Sequence, residues 1–171
     1  MAHHVKYSAF ALRLRGKPYF CAVSERFNVR AYGLLERSGR VLVSDEVIRG
    51  LSVTKFPGGG LEFGEGLHDC IVREFREELN LEVEVTAHFY TTDFFVASVF
   101  DSDSQVISVY YTVRPLRKED EPSICDLARA EGVRQVRWIA LDEISEKDLT
   151  LAIDRKVAGM LRSARIENIR C

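Results

Sequence analysis

The feature that most constrains this chain of 171 residues is a glycine-rich turn followed directly by an acidic helix. The stretch GGGLEFGE begins at Gly58 and runs into GLHDCIVREFREELN, where apolar residues recur every four positions over residues 67–79. With 3.6 residues per turn, this spacing predicts an amphipathic helix. Glu78 lies seven positions after Ile71, so its side chain is expected to point toward the apolar side of that helix.

The acids of this helix need a positive partner. Glu74 is expected beside the apolar side, with Glu77 next to it. A buried carboxylate without a partner costs several kcal/mol, and neighbouring acids add to the cost. Arg73 and Arg76 are close in sequence, but Arg76 points away from Glu78 and one arginine cannot offset three acids. A hard divalent cation, Mg²⁺ or Mn²⁺, suits clustered carboxylates better, and a solvated acidic face is the alternative interpretation.

The glycines before the helix favour a ligand site over a solvated face. Gly58, Gly59 and Gly60 let backbone carbonyls and amides approach a ligand closely. They also place an adaptable loop before a helix N-terminus, where anions are favoured. Three glycines alone are more typical of a simple turn, so the argument depends on their combination with the acidic helix.

The spacing of these residues resembles the Nudix box, whose pattern is G-x5-E-x7-R-E-U-x-E-E-x-G-U with U a bulky apolar residue. Gly59, Glu65 and the run REFREELNL from Arg73 to Leu81 match six of the seven fixed positions and both apolar ones. Asn80 stands where the family has glycine, just past the helix. That position is expected to be left-handed, and asparagine tolerates this conformation best after glycine.

The resemblance implies an α/β fold, an α/β/α sandwich with a mixed sheet and the loop–helix–loop of residues 59–81 beside it. A Nudix hydrolase domain is expected over residues 25–171. Within it, FNVRAYGLLE and RVLVSDE alternate around RSG, which predicts a hairpin. Residues 1–24 are expected to be an N-terminal extension. Short β-leaning runs there suggest an extra β-hairpin or a contact within a homodimer.

Nudix enzymes cleave a diphosphate linked to another moiety, usually a nucleoside, so the resemblance implies a metal-dependent pyrophosphohydrolase. By carry-over onto this sequence, Glu77 and Glu78 are the main ligands of Mg²⁺ or Mn²⁺, with the carbonyl of Gly58. Glu74 is either a further ligand or the base that deprotonates the attacking water. The sequence leaves these two roles open.

The other positions of the box have supporting roles. Arg73 is expected to orient a neighbouring glutamate, and Glu65 to lie near the metal or to support the structure. Gly59 and Gly60 are expected to make room for the substrate phosphates. Such sites often gain a carboxylate from a late loop, for which Glu131 is the candidate. Three more acids stand behind it, namely Glu119, Asp120 and Glu121.

The bulk properties exclude several other classes of protein. A formal net charge of −2 argues against a general binder of nucleic acid or membrane surfaces. No apolar run approaches the roughly 18 residues of a membrane span, and MAHHVKYSAF lacks the pattern of a secretory signal. The four cysteines are too scattered for a C-x-x-C motif and are expected to be free thiols. We therefore expect a cytoplasmic protein that binds a small nucleotide-type diphosphate.

The substrate itself is poorly determined by the sequence. Some Nudix subfamilies carry a marker proline or tyrosine beyond the box, and the region FVASVF has neither. By elimination, a nucleoside triphosphate or a MutT-like role is favoured. The alternative function is a Nudix-fold sensor that binds a nucleotide or nucleotide sugar without cleaving it, and the intact set of acids argues for the enzyme.

Overall fold

The computed structural model describes residues 26–116 and 133–170. The elements in chain order are β1 (Arg26–Arg37), β2 (Arg40–Ile48), β3 (Leu51–Lys55), β4 (Gly58–Gly60), α1 (Leu67–Leu79), β5 (Val83–Thr91), β6 (Ser104–Pro115), β7 (Val133–Ala140) and α2 (Ala152–Arg170). The predicted helix over residues 67–79 is therefore confirmed as α1.

The strands form one mixed sheet. The order of its central path is β3-β2-β1-β6-β5, with β4 paired to β1 and β7 paired to β2. The long β1–β6 pair is parallel, whereas the remaining pairs are antiparallel. Because β1 pairs with β4 as well, the glycine strand is fixed beside the centre of the sheet.

The predicted hairpin around RSG is confirmed as β1 and β2. Its two turn residues, Ser38 and Gly39, have φ values of 49° and 72°. Positive φ at both central positions is the geometry of a type I′ turn, whose twist matches that of the flanking strands. The turn sets the register in which Arg37 pairs with Arg40.

Alternate residues of the strands face two separate apolar cores. Ala31 and Leu42 pack with Ile71 and Phe75 of α1, whereas Tyr32 and Val43, their chain neighbours, pack in the core that contains α2. Successive side chains of a strand point to opposite faces of the sheet. The two helices therefore cover opposite faces, and the predicted α/β/α sandwich is confirmed.

Several sequence-based predictions lie outside the described residues. These are the extension over residues 1–24 with its hairpin and dimer contact, and the late-loop acids Glu119, Asp120, Glu121 and Glu131. In the described ranges, neither helix is long and apolar enough to cross a membrane.

Candidate active site

The ends of α1 place its acids next to the glycine strand. Gly66 caps the N-terminus in an extended conformation, and its amide donates to the carboxylate of Asp69 at 3.1 Å. At the other end, Asn80 is left-handed, with φ 51° and ψ 39°, and its amide donates to the carbonyl of Arg76. The left-handed conformation expected at Asn80 is thus confirmed.

Arg73 binds three of the glutamates singled out by the sequence. Its guanidinium donates to Glu65 at 2.8 and 3.0 Å, to Glu74 at 3.0 Å and to Glu77 at 3.1 Å. It also donates to the carbonyl of Gly60 at 3.1 Å, which ties the helix to the glycine strand. We call these residues the Arg73 network.

Glu78 belongs to a second and more deeply buried group of charges. The ammonium of Lys55 lies 3.0 Å from Glu78 Oε1 and 2.8 Å from Glu46 Oε1, and it donates to the carbonyl of Gly58 at 2.7 Å. The Lys55 side chain is only 2% exposed. The amide of Gly58 donates to the other Glu78 oxygen at 3.2 Å. We call Lys55, Glu46, Glu78 and the Gly58 carbonyl the Lys55 cradle.

Lys55 is a partner of Glu78 that the local spacing of the sequence does not predict. Only Arg73 and Arg76 are close enough in sequence to be expected beside the three acids, and the structure adds a cation that comes from β3. Arg76 does point away, toward Glu82, to which it donates at 2.8 Å. Lys55 stands two residues before Pro57 at the end of an alternating strand. No local spacing relates it to Glu78, because the two are 23 positions apart.

The two groups shift the pKa values of their acids in opposite directions. Hydrogen bonds from Arg73 lower the pKa of Glu65 to about 2. Burial raises the pKa of Glu78 to about 6, although the nearby Lys55 acts to lower it. The pKa of Lys55 is raised, because attraction by Glu78 and Glu46 outweighs the cost of its burial. Glu65 and Lys55 are therefore charged at neutral pH, whereas Glu78 gains a proton not far below it.

Close packing explains two of the three glycines. Gly58 has a φ of 135°, and a Cβ atom there would lie 2.3 Å from the carbonyl oxygen of Ala31. A Cβ atom on Gly59 would lie 2.1 Å from Glu74 Oε1, so the missing side chain is what admits that carboxylate. Around Gly60 the nearest atom, on Arg30, is 3.7 Å away. The ligand-binding roles assigned to Gly59 and Gly60 remain predictions.

The donor atoms suit a divalent cation. Carboxylate and carbonyl oxygens are the ligands that Mg²⁺ and Mn²⁺ prefer. Glu78 Oε1 and the Gly58 carbonyl already converge on one positive centre, the Lys55 ammonium, which serves here as a stand-in cation. Across the described residues, however, no three acidic, histidine or cysteine side chains are arranged to hold a metal. The oxygens of Glu78 and Gly58 thus have the donor chemistry that the ion requires. In this structure the acids are paired with Arg73 and Lys55.

Several residues near the glycine strand and α1 take structural places. The Cys70 thiol is buried, and burial raises its pKa to about 12, so it is not available as a nucleophile near neutral pH. Phe56 is fully buried in the core, so it is not available to stack on a base. The His68 ring packs edge-on against Tyr111 at 4.7 Å. Glu77 is the most exposed acid of the Arg73 network, with 59% of its side chain accessible.

A pocket of about 140 Å³ adjoins the acidic site. Lys55 borders both, and the other walls include Arg30, Tyr32 and Tyr110. The two tyrosine rings stack at 5.2 Å, and Arg30 donates to the Tyr32 hydroxyl at 2.7 Å. Both rings are only 1% exposed, so the pocket wall offers two cations but little aromatic surface.

Asp154 of α2 is a further buried acid, and it contacts Tyr110 of the pocket wall. The Tyr110 hydroxyl donates to its Oδ1 at 2.6 Å. Its Oδ2 has no hydrogen-bond partner among the residues that the structure describes. Burial raises the pKa of Asp154 to about 7. Unlike Glu78, this acid is buried without an ion-pair partner in the described residues.

Comparison with known proteins identifies both a family match and related folds. The family model for the NUDIX domain matches residues 25–158. The solution structure of the E. coli ORF135 protein superposes with a TM-score of 0.60 and 22% identity, covering 83% of this chain and 95% of that chain. The MutT protein from Methanosarcina mazei Go1 gives a TM-score of 0.65 and 16% identity, with 84% and 98% covered.

A third similar structure is an ADP-ribose pyrophosphatase from Streptococcus suis. Its TM-score is 0.56 and its identity 17%, and the likeness covers 84% of this chain and 92% of that chain. At such identities the three likenesses establish the fold alone. No curated protein sequence matches the chain.

Proposed function

This chain belongs to the NUDIX domain family and is a Nudix-type pyrophosphohydrolase by class, and we propose that its substrate is a nucleoside diphosphate linked to another moiety. Nudix hydrolases generally require a divalent metal ion and act on nucleotide-type substrates, which supports Mg²⁺ or Mn²⁺ as the cofactor. A homodimer and a cytoplasmic location are further predictions from the sequence.

One observation carries the proposal: the oxygens of two distant segments converge on one cation. Glu78 Oε1 and the Gly58 carbonyl lie 3.0 and 2.7 Å from the Lys55 ammonium. The remaining acids of the box lie beside them on the same helix, held by Arg73. Oxygens gathered in this way suit a divalent cation, which would supply the positive charge that the phosphoryl oxygens of a diphosphate require during cleavage.

The metal would be held by Glu77 and Glu78 with the Gly58 carbonyl, and when bound it would neutralise charge on the phosphates and favour ionised water. Arg73 fixes the carboxylates of Glu74 and Glu77 before substrate arrives. Preorganised charges of this kind need no rearrangement at the moment of reaction.

Glu74 is our choice for the base. Arg73 donates to its Oε1, so Oε2 is the atom we assign to take the proton from the attacking water. The water oxygen then forms a bond to phosphorus as the bond from phosphorus to the bridging oxygen breaks. The contact with Gly59 holds the Glu74 carboxylate against the glycine strand, where the phosphates are expected to bind.

The pocket beside the acids provides room for the nucleoside. Arg30 and Lys55 supply positive charge to its wall, whereas the rings of Tyr32 and Tyr110 are each 1% exposed and stack on each other. This arrangement supports an anionic substrate without choosing among bases. A nucleoside triphosphate is the first substrate to test, with ADP-ribose and dinucleoside polyphosphates after it.

The test is a phosphate-release screen over nucleoside triphosphates, ADP-ribose, NADH, nucleotide sugars and dinucleoside polyphosphates with Mg²⁺ and Mn²⁺. We expect Glu78→Gln to reduce turnover at least about 100-fold while the fold persists by circular dichroism. Glu82→Gln is the matched control, because Glu82 is an exposed acid that pairs with Arg76. Turnover in Glu78→Gln equal to that of the control would contradict the role of Glu78.

A sensor that binds nucleotide without cleaving it is the second candidate, and Lys55 is the observation in its favour. Because Lys55 already pairs with Glu46 and Glu78, these two acids depend less on a metal ion for neutralisation. Nucleotide binding by calorimetry, combined with no phosphate release from any member of the screen, would establish the sensor and exclude the enzyme.

A further inference from the structure

Lys55 fills a position that suits a cation. Its ammonium has three oxygens within 3.0 Å, from Glu46, Glu78 and the Gly58 carbonyl. A lysine ammonium has three N–H groups, so these three acceptors use all of its donors. Ser44 fixes one wall by donating to Glu46 Oε1 at 2.8 Å. The cradle is thus complete around the lysine.

A divalent ion bound to the same oxygens would lie close to the Lys55 ammonium. An Mg²⁺ ion at the usual distance of about 2.1 Å from the Gly58 oxygen would lie less than about 5 Å from the Lys55 nitrogen, which is itself 2.7 Å from that oxygen. The surroundings are buried, so little solvent screens the repulsion between the two cations. The free protein therefore disfavours a metal ion at this place.

The formal charges lead to the same result. Glu46, Glu78 and Lys55 together carry a charge of about −1. A divalent ion added to the intact cradle would place a second cation among the oxygens that already hold the Lys55 ammonium in a buried place, which is costly. A diphosphate carries the anionic oxygens that would balance both the metal ion and the lysine.

The adjoining pocket gives the Lys55 ammonium a second place to bind. The ring of Tyr32 lies 5.8 Å from its nitrogen, and the lysine forms part of the pocket wall. An anion bound there would attract the ammonium away from Glu78. A lysine side chain has the length and rotatable bonds to make this short movement.

We infer that Lys55 is a positioning residue that occupies the Gly58–Glu78 cradle in the free protein, so that a divalent ion enters this place only together with a diphosphate. The inference rests on the proposed function for the identity of the metal ligands. It adds an order of binding, in which metal uptake depends on the phosphate chain. It also assigns to Lys55 the positive charge that keeps the cradle closed to metal beforehand.

The test measures Mn²⁺ binding without any nucleotide, from the electron paramagnetic resonance signal of free Mn²⁺. Lys55→Gln removes the charge but keeps an amide that donates hydrogen bonds. Lys156→Gln is the matched control, because Lys156 pairs with Asp93 on the exposed side of α2. We expect Lys55→Gln to bind Mn²⁺ at least about tenfold more tightly than the unchanged protein, and Lys156→Gln to bind like the unchanged protein. Equal affinity in all three would overturn the inference.

A second measurement uses the unchanged protein and so does not depend on the folding of a variant. The ammonium resonance of Lys55 is followed in ¹H–¹⁵N spectra, with methylenediphosphonate as a diphosphate that is not hydrolysed. We expect Mg²⁺ alone to leave the resonance in place, and Mg²⁺ with methylenediphosphonate to shift it. A shift with Mg²⁺ alone would overturn the inference.

Neither measurement involves turnover. A protein that hydrolyses no diphosphate would overturn the proposed function without changing the Mn²⁺ affinities. Conversely, an active enzyme whose metal affinity ignores Lys55 would overturn only this inference. The two failures are therefore distinguishable.

Discussion

The Arg73 network and the Lys55 cradle solve the same problem in different ways. Both neutralise acids on α1, but Arg73 comes from the helix itself and its side chain is 22% exposed. Lys55 comes from a strand of the sheet and its side chain is 2% exposed. Water can therefore reach the guanidinium of Arg73, whereas the ammonium of Lys55 is almost fully shielded from water.

This difference in burial decides how the two groups respond to change. Water reaches Glu77 and part of the Arg73 guanidinium, whose side chains are 59% and 22% exposed, and it can replace part of a lost ion pair there. A buried carboxylate that loses its cation has no such replacement. We therefore expect the cradle to control stability and metal access, and the network to control the orientation of the catalytic acids.

The largest expected effect is on stability. Lys55→Met leaves Glu46 and Glu78 buried without a cation, and we expect a loss of roughly 3–5 kcal/mol in the free energy of unfolding. Arg73→Met should lose less than Lys55→Met, because water reaches Glu77 and part of the guanidinium. Urea unfolding of both variants measures the difference. Equal losses would remove the distinction between the two groups.

Asp154 extends the comparison to an acid buried without an ion-pair partner. Its pKa is raised in the folded state to about 7, so the folded protein holds a proton that the unfolded chain releases above about pH 4. The stability of the protein should therefore fall as the pH rises from about 4 to 7, by roughly 4 kcal/mol at most.

Asp154→Asn removes this loss, because the amide stays neutral and still accepts from Tyr110. We expect the variant to be more stable than the unchanged protein at pH 8 and similar to it at pH 4. Thermal unfolding at the two pH values measures this. A stability gain that does not depend on pH would contradict the assigned pKa.

A smaller effect should separate Gly59 from Gly60. A Cβ atom at position 59 collides with the Glu74 carboxylate, which is the flexible end of its side chain and can move aside. We expect Gly59→Ala to change stability by less than about 1 kcal/mol and to reduce turnover about tenfold. Gly60→Ala, where a Cβ atom meets nothing nearer than 3.7 Å, is the control for the collision, and its turnover should exceed that of Gly59→Ala. Equal turnover in the two variants would show that the position of Glu74 does not matter.

The smallest effect concerns the end of α1. Asn80 is left-handed, so Asn80→Ala should lose about 1 kcal/mol, since Cβ disfavours this conformation and asparagine tolerates it better. Asn80→Gly should stay within about 0.5 kcal/mol of the unchanged protein. Chemical unfolding of the pair decides the matter, and equal stability of the alanine and glycine variants would argue against the left-handed cap.

Much of the fold was predictable, because it follows from local spacing. The four-residue recurrence that ends at Leu79 gave the bounds of α1, and the turn at Ser38 and Gly39 gave the first hairpin. The left-handed Asn80 followed from its place after the helix. Each of these depends on a few neighbouring residues, so a single sequence contains the information.

The site was predictable only in part. The orientation of Glu78 toward the core followed from helical geometry, but its partner did not. Lys55 meets Glu78 through the pairing of β3 with the sheet and the packing of α1 on it, and no short pattern encodes that meeting. The contact between Gly59 and Glu74 was not predicted for the same reason, because no short pattern relates the glycine strand to that position of α1.

Calorimetric titration of Mg²⁺ or Mn²⁺ into the protein, in the presence of methylenediphosphonate, tests most directly whether the acids of α1 bind a divalent ion together with a diphosphate. We expect saturable uptake in the unchanged protein and its loss in Glu78→Gln. Absence of metal uptake with the diphosphate present would contradict the proposed catalytic site.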